Sequence, residues 1–138
     1  MRTIFLLFLG IFFNSNLFSQ VTFDNGETYY TDSTETVLCN GKFRKFYSGF
    51  NIKSSATYSN GKLHGEYVEH YTNGLIKSTM HYSNGLLNGE VVEYYPEINI
   101  MKTKFHYTNG LKNGECKTYD EVGEVMLKQI YVNGVLQP

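Results

Sequence analysis

The chain has 138 residues, the length of a single domain, and 12 Lys and Arg against 13 Asp and Glu give it a net charge of −1 at pH 7. Charges of both signs are scattered, without the basic clusters that nucleic acid or an anionic membrane surface requires, so the sequence disfavours both partners and another protein is the expected one. The 12 Tyr, 10 Phe and 13 Gly, with only two Pro, indicate an all-β chain with many tight turns.

Residues 1–20 have the pattern of a secretory signal peptide. Arg2 precedes a ten-residue apolar run that ends at Phe13 and is too short to span a bilayer comfortably. Ser19 is a small residue ahead of a cut at Gln20. We therefore expect cleavage at this point and an exported protein, periplasmic, outer-envelope or extracellular. The alternative, a buried apolar segment of the fold, agrees less well with its position at the start of the chain.

Residues 21–57 resemble a degenerate version of the repeats that follow them. Asp24-Asn25-Gly26 and Asn40-Gly41 have the composition of hairpin turns, because Asn and Gly adopt positive φ at low cost. The segment from Gly49 to Tyr58 is similar to the second half of a repeat. We expect capping hairpins in this part of the chain.

Residues 58–138 repeat about every 24 residues. Four copies of Tyr-x-Asn-Gly, beginning at positions 58, 82, 107 and 131, recur at this spacing, and the first three continue to a Gly-Glu pair, so that each reads Tyr-x-Asn-Gly-x-x-x-Gly-Glu. Asn-Gly between alternating residues is a strong hairpin signal. The residues that define the repeats are Tyr58, Gly61, Gly65, Tyr82, Gly85, Gly89, Tyr107, Gly110, Gly114, Tyr131 and Gly134.

Each repeat contains a second turn, and therefore two strands of about eight residues. Gly74 and Gly123 close these turns in the first and third copies, whereas the middle copy has residues 96–99, Pro-Glu-Ile-Asn, instead. The second glycine of each copy falls inside a strand, where glycine usually marks a bend or a close approach. We predict that a tyrosine ring lies over this bare backbone, and that Gly89→Val destabilises the fold.

The repeat, together with the tandem Tyr94-Tyr95, resembles the variant MORN repeat (membrane occupation and recognition nexus). It is particularly similar to the bacterial branch labelled as antitoxin components of toxin–antitoxin systems. The resemblance covers residues 58–138 closely and residues 21–57 loosely. It implies a single elongated antiparallel sheet of successive β-hairpins, and it brings no catalytic residues with it.

Repeated His and Glu residues give no expected catalytic or metal site. His81 and His106 would lie two strands apart, roughly 9.6 Å, whereas zinc needs both nitrogens within about 2.1 Å. Glu66, Glu90 and Glu115 are spaced too widely for a retaining carboxylate pair, and an inverting pair, at up to about 9.5 Å, is less plausible than a structural role for a residue of every repeat. Nucleophile elbows and phosphate-binding loops are absent from the sequence. We expect no enzyme activity and no cofactor.

The two cysteines, Cys39 and Cys116, leave two interpretations open. Export would allow a disulfide to persist, and one between them would stabilise the fold by about 4 kcal/mol in the chain-entropy model. The alternative is two separate thiols, since the repeats would place these residues several strands apart.

The function expected from these features is that of an exported, non-enzymatic protein-interaction module. Tyrosine is well suited to protein contacts, but the regular tyrosine column could equally pack on itself and hold the sheet. His70, Tyr94 and Phe105 are less regular and are the candidates for an interaction face. Two alternatives remain: an antitoxin or immunity-type protein that neutralises a partner toxin, and envelope or carbohydrate binding by stacked aromatic rings.

Overall fold

The structure is a computed structural model, and it describes residues 23–24, 29–30, 38–48 and 51–138. The predicted signal peptide and the Asn25-Gly26 turn lie outside these residues. The described part of the chain is all-β. It contains no helix long and apolar enough to cross a membrane.

An open antiparallel sheet of ten strands forms the body of the described structure, which confirms the all-β hairpin fold. Two short strands, β1 (Phe23–Asp24) and β2 (Tyr29–Tyr30), form a separate antiparallel pair. The ten strands are β3 (Gly41–Phe46), β4 (Ile52–Ser59), β5 (Lys62–His70), β6 (Ile76–Ser83), β7 (Leu86–Tyr94), β8 (Met101–Thr108), β9 (Leu111–Lys112), β10 (Gly114–Tyr119), β11 (Val125–Val132) and β12 (Val135–Leu136). Their order is β12-β11-β10-β8-β7-β6-β5-β4-β3, with β9 also paired to β8, so that neighbours in the chain are neighbours in the sheet.

The Asn-Gly pairs form the tight turns at one end of the strands. Asn60, Asn84, Asn109 and Asn133 have φ of 50°, 51°, 50° and 49°, and the glycine after each also has positive φ. Positive φ at both central residues defines the two-residue turn whose twist matches that of paired strands. These pairs therefore form hairpin turns because both of their residues can adopt positive φ.

The second glycine of each repeat lies at a β-bulge. Between β4 and β5 the pairing passes from Ala56–Tyr67 to Tyr58–Leu63, so that Gly65 falls within the extra residues of β5. Its φ is +92°, a backbone conformation that residues other than glycine rarely adopt. On the β6 side, Gly65 is the cross-strand partner of Tyr82. The sequence prediction explained this glycine by a tyrosine ring over the backbone and did not include the positive φ, which itself requires glycine.

The expected hairpin turn at Asn40-Gly41 is wrong. Gly41 begins β3 with φ +100° and pairs with Tyr58, as Gly65 pairs with Tyr82. The dipeptide thus lies at the start of a strand rather than in a turn.

Buried side chains lie mainly on one side of the sheet. Phe43, Ala56, Tyr67, Met80 and Val91 follow one another as cross-strand partners, and their side of the sheet is here called the packed face. Its buried residues are Ser54, Ala56, Tyr58, Ser78, Val91, Thr103 and Cys116. The other side, here called the opposite face, carries mostly charged and polar side chains, with Val92 buried.

The candidate disulfide between Cys39 and Cys116 is not formed. Both are free and buried, 0% and 2% exposed. Cys39 precedes β3 and Cys116 lies in β10, with strands β4 to β8 between them. At about 4.8 Å per strand this separation far exceeds the roughly 7 Å limit between Cα atoms of a disulfide. Burial raises the pKa of the Cys39 thiol to about 11, which keeps it protonated at neutral pH.

Candidate functional site

The repeat tyrosines lie on the packed face and take part in its packing. Tyr58 is 7% exposed and makes an edge-to-face contact with Phe43, with ring centroids 5.5 Å apart. Tyr82 makes a similar contact with Tyr67 at 6.1 Å. Of the two roles that the sequence left open for this column, the packing role is the one that these contacts show for Tyr58 and Tyr82.

A groove of about 310 Å³ opens on the packed face between β3 and β6. The groove has an aromatic and a polar part to its lining. The aromatic residues are Phe43, Tyr58, Tyr67 and Tyr82, and the polar residues are Arg44, Lys45, Ser54 and Glu69. Burial raises the pKa of both Tyr67 and Tyr82, and the nearby Glu69 carboxylate raises it further. The groove therefore combines aromatic surfaces with neutral hydroxyls, one carboxylate and two cationic side chains.

Glu69 is held in the groove by two neighbours. Its carboxylate accepts a hydrogen bond from the Tyr67 hydroxyl at 3.2 Å and forms an ion pair with Lys77 at 3.2 Å. Ser78, its cross-strand partner, is 2% exposed, and its Oγ has no hydrogen-bond partner among the described residues. The Glu69 carboxylate is thus paired with a cation and held in a fixed position by the Tyr67 hydroxyl. Such an arrangement suits a structural or binding role.

A second tyrosine column, which the sequence analysis missed, links neighbouring hairpins. The hydroxyls of Tyr47, Tyr71 and Tyr95 each donate a 2.8 Å hydrogen bond to a backbone oxygen of the following repeat: those of His70, Tyr94 and Tyr119. The three tyrosines are spaced 24 residues apart, so the signal was present in the sequence. These bonds join neighbouring hairpins at the end of the strands opposite to the Asn-Gly turns.

The predicted interaction residues His70, Tyr94 and Phe105 do not form one cluster. His70 ends β5 and Tyr94 ends β7, with β6 between them, and the backbone oxygen of each accepts a bond from the second tyrosine column. The Nδ1 atom of His70 is buried and lacks a hydrogen-bond partner in the described part of the chain. Phe105 lies on the packed face opposite Val91, and the Lys112 ammonium is 4.2 Å from its ring centroid.

The glutamates of the opposite face form ion pairs within the sheet. Glu90 pairs with Lys104 at 2.7 Å, and Glu115 pairs with both Lys117 and Lys128. The hydrogen bonds from these two lysines lower the pKa of the Glu115 carboxyl. Cations beside these carboxylates suit a structural role better than an acid–base pair.

The two His residues at equivalent positions of the repeats each have a repeat glutamate as cross-strand partner. His81 is the cross-strand partner of Glu66, and His106 is the partner of Glu90. Within residues 38–48 and 51–138 and the two short strands, no group of three or more His, Cys, Asp or Glu is close enough to hold a metal ion.

Exposed apolar side chains concentrate at the C-terminal end of the sheet. The described residues have 13 exposed large hydrophobics, and eight of them lie between positions 122 and 136. These eight are here called the C-terminal apolar surface: Val122, Val125, Met126, Leu127, Ile130, Val132, Val135 and Leu136, 48% to 77% exposed. The apolar run of β11, VMLKQIYV, was the sequence signal for it, but only the sheet order shows that this strand lies near an edge.

Known proteins offer no family assignment for this arrangement. Comparison of the chain with protein-family models, with curated proteins and with solved structures found no match.

Proposed function

We propose that this protein is an exported, non-enzymatic interaction module that binds another protein through the C-terminal apolar surface. The observation that carries the proposal is the concentration of eight exposed apolar side chains in the last two strands and the turn before them. Exposed apolar side chains that lie close together mark interaction sites. The eight lie on both sides of the last hairpin, with Leu127 on the packed face and Ile130 on the opposite face. Burial of apolar area would supply the free energy of binding.

The charge of this surface favours a protein partner. Lys128 is the one charged residue of β11, and its ammonium is paired with Glu115 of the neighbouring strand. Nucleic acids and anionic lipids are bound by clustered unpaired cations, whereas protein interfaces have apolar centres with few charges. The resemblance to the variant MORN repeat, a family with an antitoxin-labelled branch, supports a binding role as well.

Capture of partners from the exported proteins of the source organism tests the proposal. The chain from residue 21 onward is compared with Ile130→Lys and with Leu86→Lys, because both side chains are 51% exposed and Leu86 lies on a central strand. We expect Ile130→Lys to lose a partner that the wild type and Leu86→Lys retain. Equal capture by all three proteins would contradict the proposal. A captured toxin encoded beside this chain would identify the antitoxin or immunity form of the function.

Carbohydrate binding is a second candidate, which the groove on the packed face favours. Aromatic rings beside hydroxyl and carboxylate groups, as at Tyr82, Tyr67 and Glu69, are suited to stack on a sugar ring and bond its hydroxyls. A glycan array tests this candidate with Glu69→Gln and Tyr82→Ala, and with Tyr131→Ala, a repeat tyrosine outside the groove lining, as the control. We expect the first two variants alone to lose binding, and no glycan bound by the wild type would eliminate the candidate.

A further inference from the structure

A row of alternating hydroxyls and carboxylates crosses the packed face beside its apolar residues. Ser78 is the cross-strand partner of both Glu69 and Glu93. These two glutamates have Ser54 and Thr103 as their outer partners. The three hydroxyl residues are buried. The five residues, here called the polar row, are Ser54, Glu69, Ser78, Glu93 and Thr103.

The centre of the polar row is a buried hydroxyl without a partner. Ser78 is 2% exposed, and its Oγ makes no hydrogen bond to any described residue. The carboxylates on its two sides are engaged elsewhere: Glu69 with the two neighbours described above, and Glu93 with the Thr103 hydroxyl, which donates to it at 3.1 Å. Buried hydroxyls nearly always have a partner, so the Ser78 hydroxyl calls for an explanation. Its place between two carboxylates points to a ligand that itself carries hydroxyls.

Glu93 is the carboxylate of the polar row that is open to such a ligand. Its side chain is exposed and takes part in no ion pair with another described residue, whereas Glu69 is paired with Lys77. Lys102 has the place of Lys77 in the next repeat, but its ammonium lies 5.8 Å from the centroid of the Tyr95 ring instead. The Glu93 carboxylate can therefore accept hydrogen bonds from a bound molecule without first losing a cation.

Two successive repeats place the same polar pair on the packed face. Ser54 and Glu69 line the groove, and Ser78 and Glu93 stand 24 residues further along the chain. In the third repeat Thr118 occupies the position of the glutamate. The packed face thus contains two hydroxyl–carboxylate units, two strands or about 9.6 Å apart.

We propose that the packed face binds a linear polysaccharide across its strands, with one disaccharide in the groove and the next at Ser78 and Glu93. This inference rests on the carbohydrate candidate of the proposed function, and it names the ligand class, a β-1,4-linked chain. Such a chain is extended and nearly flat, and every second sugar presents the same groups to the same side. Its disaccharide repeat has nearly the length of two strand spacings, so equivalent sugars would meet equivalent units of the sheet.

The second subsite differs from the groove in what it supplies. The groove has rings on which a sugar can stack, whereas the nearest ring of the second subsite, that of Phe105, is covered by the Lys112 ammonium 4.2 Å from its centroid. Affinity at the second subsite therefore comes from hydrogen bonds: sugar hydroxyls donate to Glu93, and one accepts from Ser78. The exposed Glu93 side chain, which no cation holds, is the neighbour that turns to admit a sugar hydroxyl to Ser78.

Calorimetric titration of the chain from residue 21 onward with oligosaccharides of increasing length tests the proposal. The probes are β-1,4-linked chains of glucose and of N-acetylglucosamine, as disaccharide, tetrasaccharide and hexasaccharide. We expect the tetrasaccharide to bind more tightly than the disaccharide by about tenfold or more, because its second half adds hydrogen bonds to a carboxylate. The hexasaccharide should add little, because the third repeat lacks the glutamate.

Two variants locate this gain in affinity. Glu93→Gln should reduce tetrasaccharide binding to the level of the disaccharide, whereas Glu90→Gln, an exposed glutamate of the same strand on the opposite face, should retain it. Ser78→Ala should lose part of the gain without a loss of stability, because the Ser78 hydroxyl bonds to no described residue. Urea unfolding checks the stability, and a serine with a structural role alone would leave the binding unchanged.

Several outcomes would overturn the second subsite. They are equal affinity for disaccharide and tetrasaccharide, a full gain retained in Glu93→Gln, a further large gain with the hexasaccharide, and binding only of glycans with other linkages. Each of these leaves the carbohydrate candidate intact if glycan binding is still lost in Tyr82→Ala, a variant of the groove. A wild type that binds no glycan would eliminate the candidate and this inference together.

Discussion

At Gly89 the backbone φ is +122°, and a Cβ placed there would lie 3.1 Å from the Cβ of His81. We expect Gly89→Val to lower the free energy of unfolding by roughly 2–4 kcal/mol, because the strained φ alone costs about 1–3 kcal/mol and the contact adds to it. Urea unfolding followed by circular dichroism measures the loss.

Gly41→Val is the matched control for this substitution. Gly41 has a φ of +100°, but a Cβ there would meet nothing within 4 Å. The control should therefore show only the cost of the strained backbone. An equal loss at both positions would mean that His81 yields, and no loss at Gly89 would contradict the requirement for glycine.

The hydroxyl of Tyr71 donates a partly buried 2.8 Å hydrogen bond to the backbone oxygen of Tyr94. Its removal in Tyr71→Phe should cost about 1 kcal/mol, the usual net value of one hydrogen bond. Tyr119→Phe is the control, because its hydroxyl has no hydrogen-bond partner among the described residues. Thermal unfolding of the two variants should separate them, and equal stability would show that the second tyrosine column contributes little.

At the scale of elements, the ion pair of Glu115 with Lys128 links β10 and β11 on the opposite face, and Lys117 of β10 pairs with the same carboxylate. The lysines lower the pKa of the Glu115 carboxyl in the folded protein. A carboxyl whose pKa is lower when folded stabilises the protein above its unfolded pKa, and this contribution is lost as the pH falls through the folded pKa. The Glu115 side chain is exposed to solvent, so the effect is small and screened by salt.

We therefore expect Glu115→Gln to be less stable than the wild type at neutral pH and equal to it in acid. Urea unfolding at a series of pH values, at low and at high salt, measures the difference. Glu121→Gln, an exposed carboxylate of the turn before β11, is the control and should leave the pH dependence unchanged. A difference that persists in acid would show that the Gln side chain disturbs the strand pairing itself.

The turns show how far local sequence determines an element. Asn60-Gly61 and the three equivalent pairs were predictable as hairpin turns, because both residues must adopt positive φ there and few other residues do so easily. The same dipeptide at Asn40-Gly41 lies at the start of β3 instead, where the glycine has positive φ and pairs with Tyr58 but the asparagine does not have positive φ. Asn-Gly therefore predicts a hairpin turn only where the strands on its two sides pair with each other.

The surfaces of the sheet were less predictable than its turns. The second tyrosine column had a regular spacing, but its meaning depends on which backbone oxygens lie within reach of the hydroxyls. Likewise, the apolar sequence of β11 is typical of a buried strand. Its side chains are exposed because β11 lies next to the last strand of the sheet. Both features depend on contacts between hairpins rather than on the pattern within one of them.

At the scale of the whole molecule, burial is uneven along the sheet. Val91, Val92 and Ser78 on the central strands β6 and β7 are at most 7% exposed, whereas β11 and β12 contain no buried residue. Strands of an open sheet contact mainly their neighbours, so opening can begin at a weakly packed end without disrupting the middle. The two ends of the described sheet, β3 and the C-terminal hairpin, are therefore the parts expected to open first.

Amide hydrogen exchange of the chain from residue 21 onward should reveal this gradient. We expect the slowest exchange in β6 and β7, because their amides are paired on both sides beneath buried side chains, and the fastest in β3 and in the C-terminal hairpin, at the two ends of the sheet. Uniform exchange across the sheet would contradict the gradient.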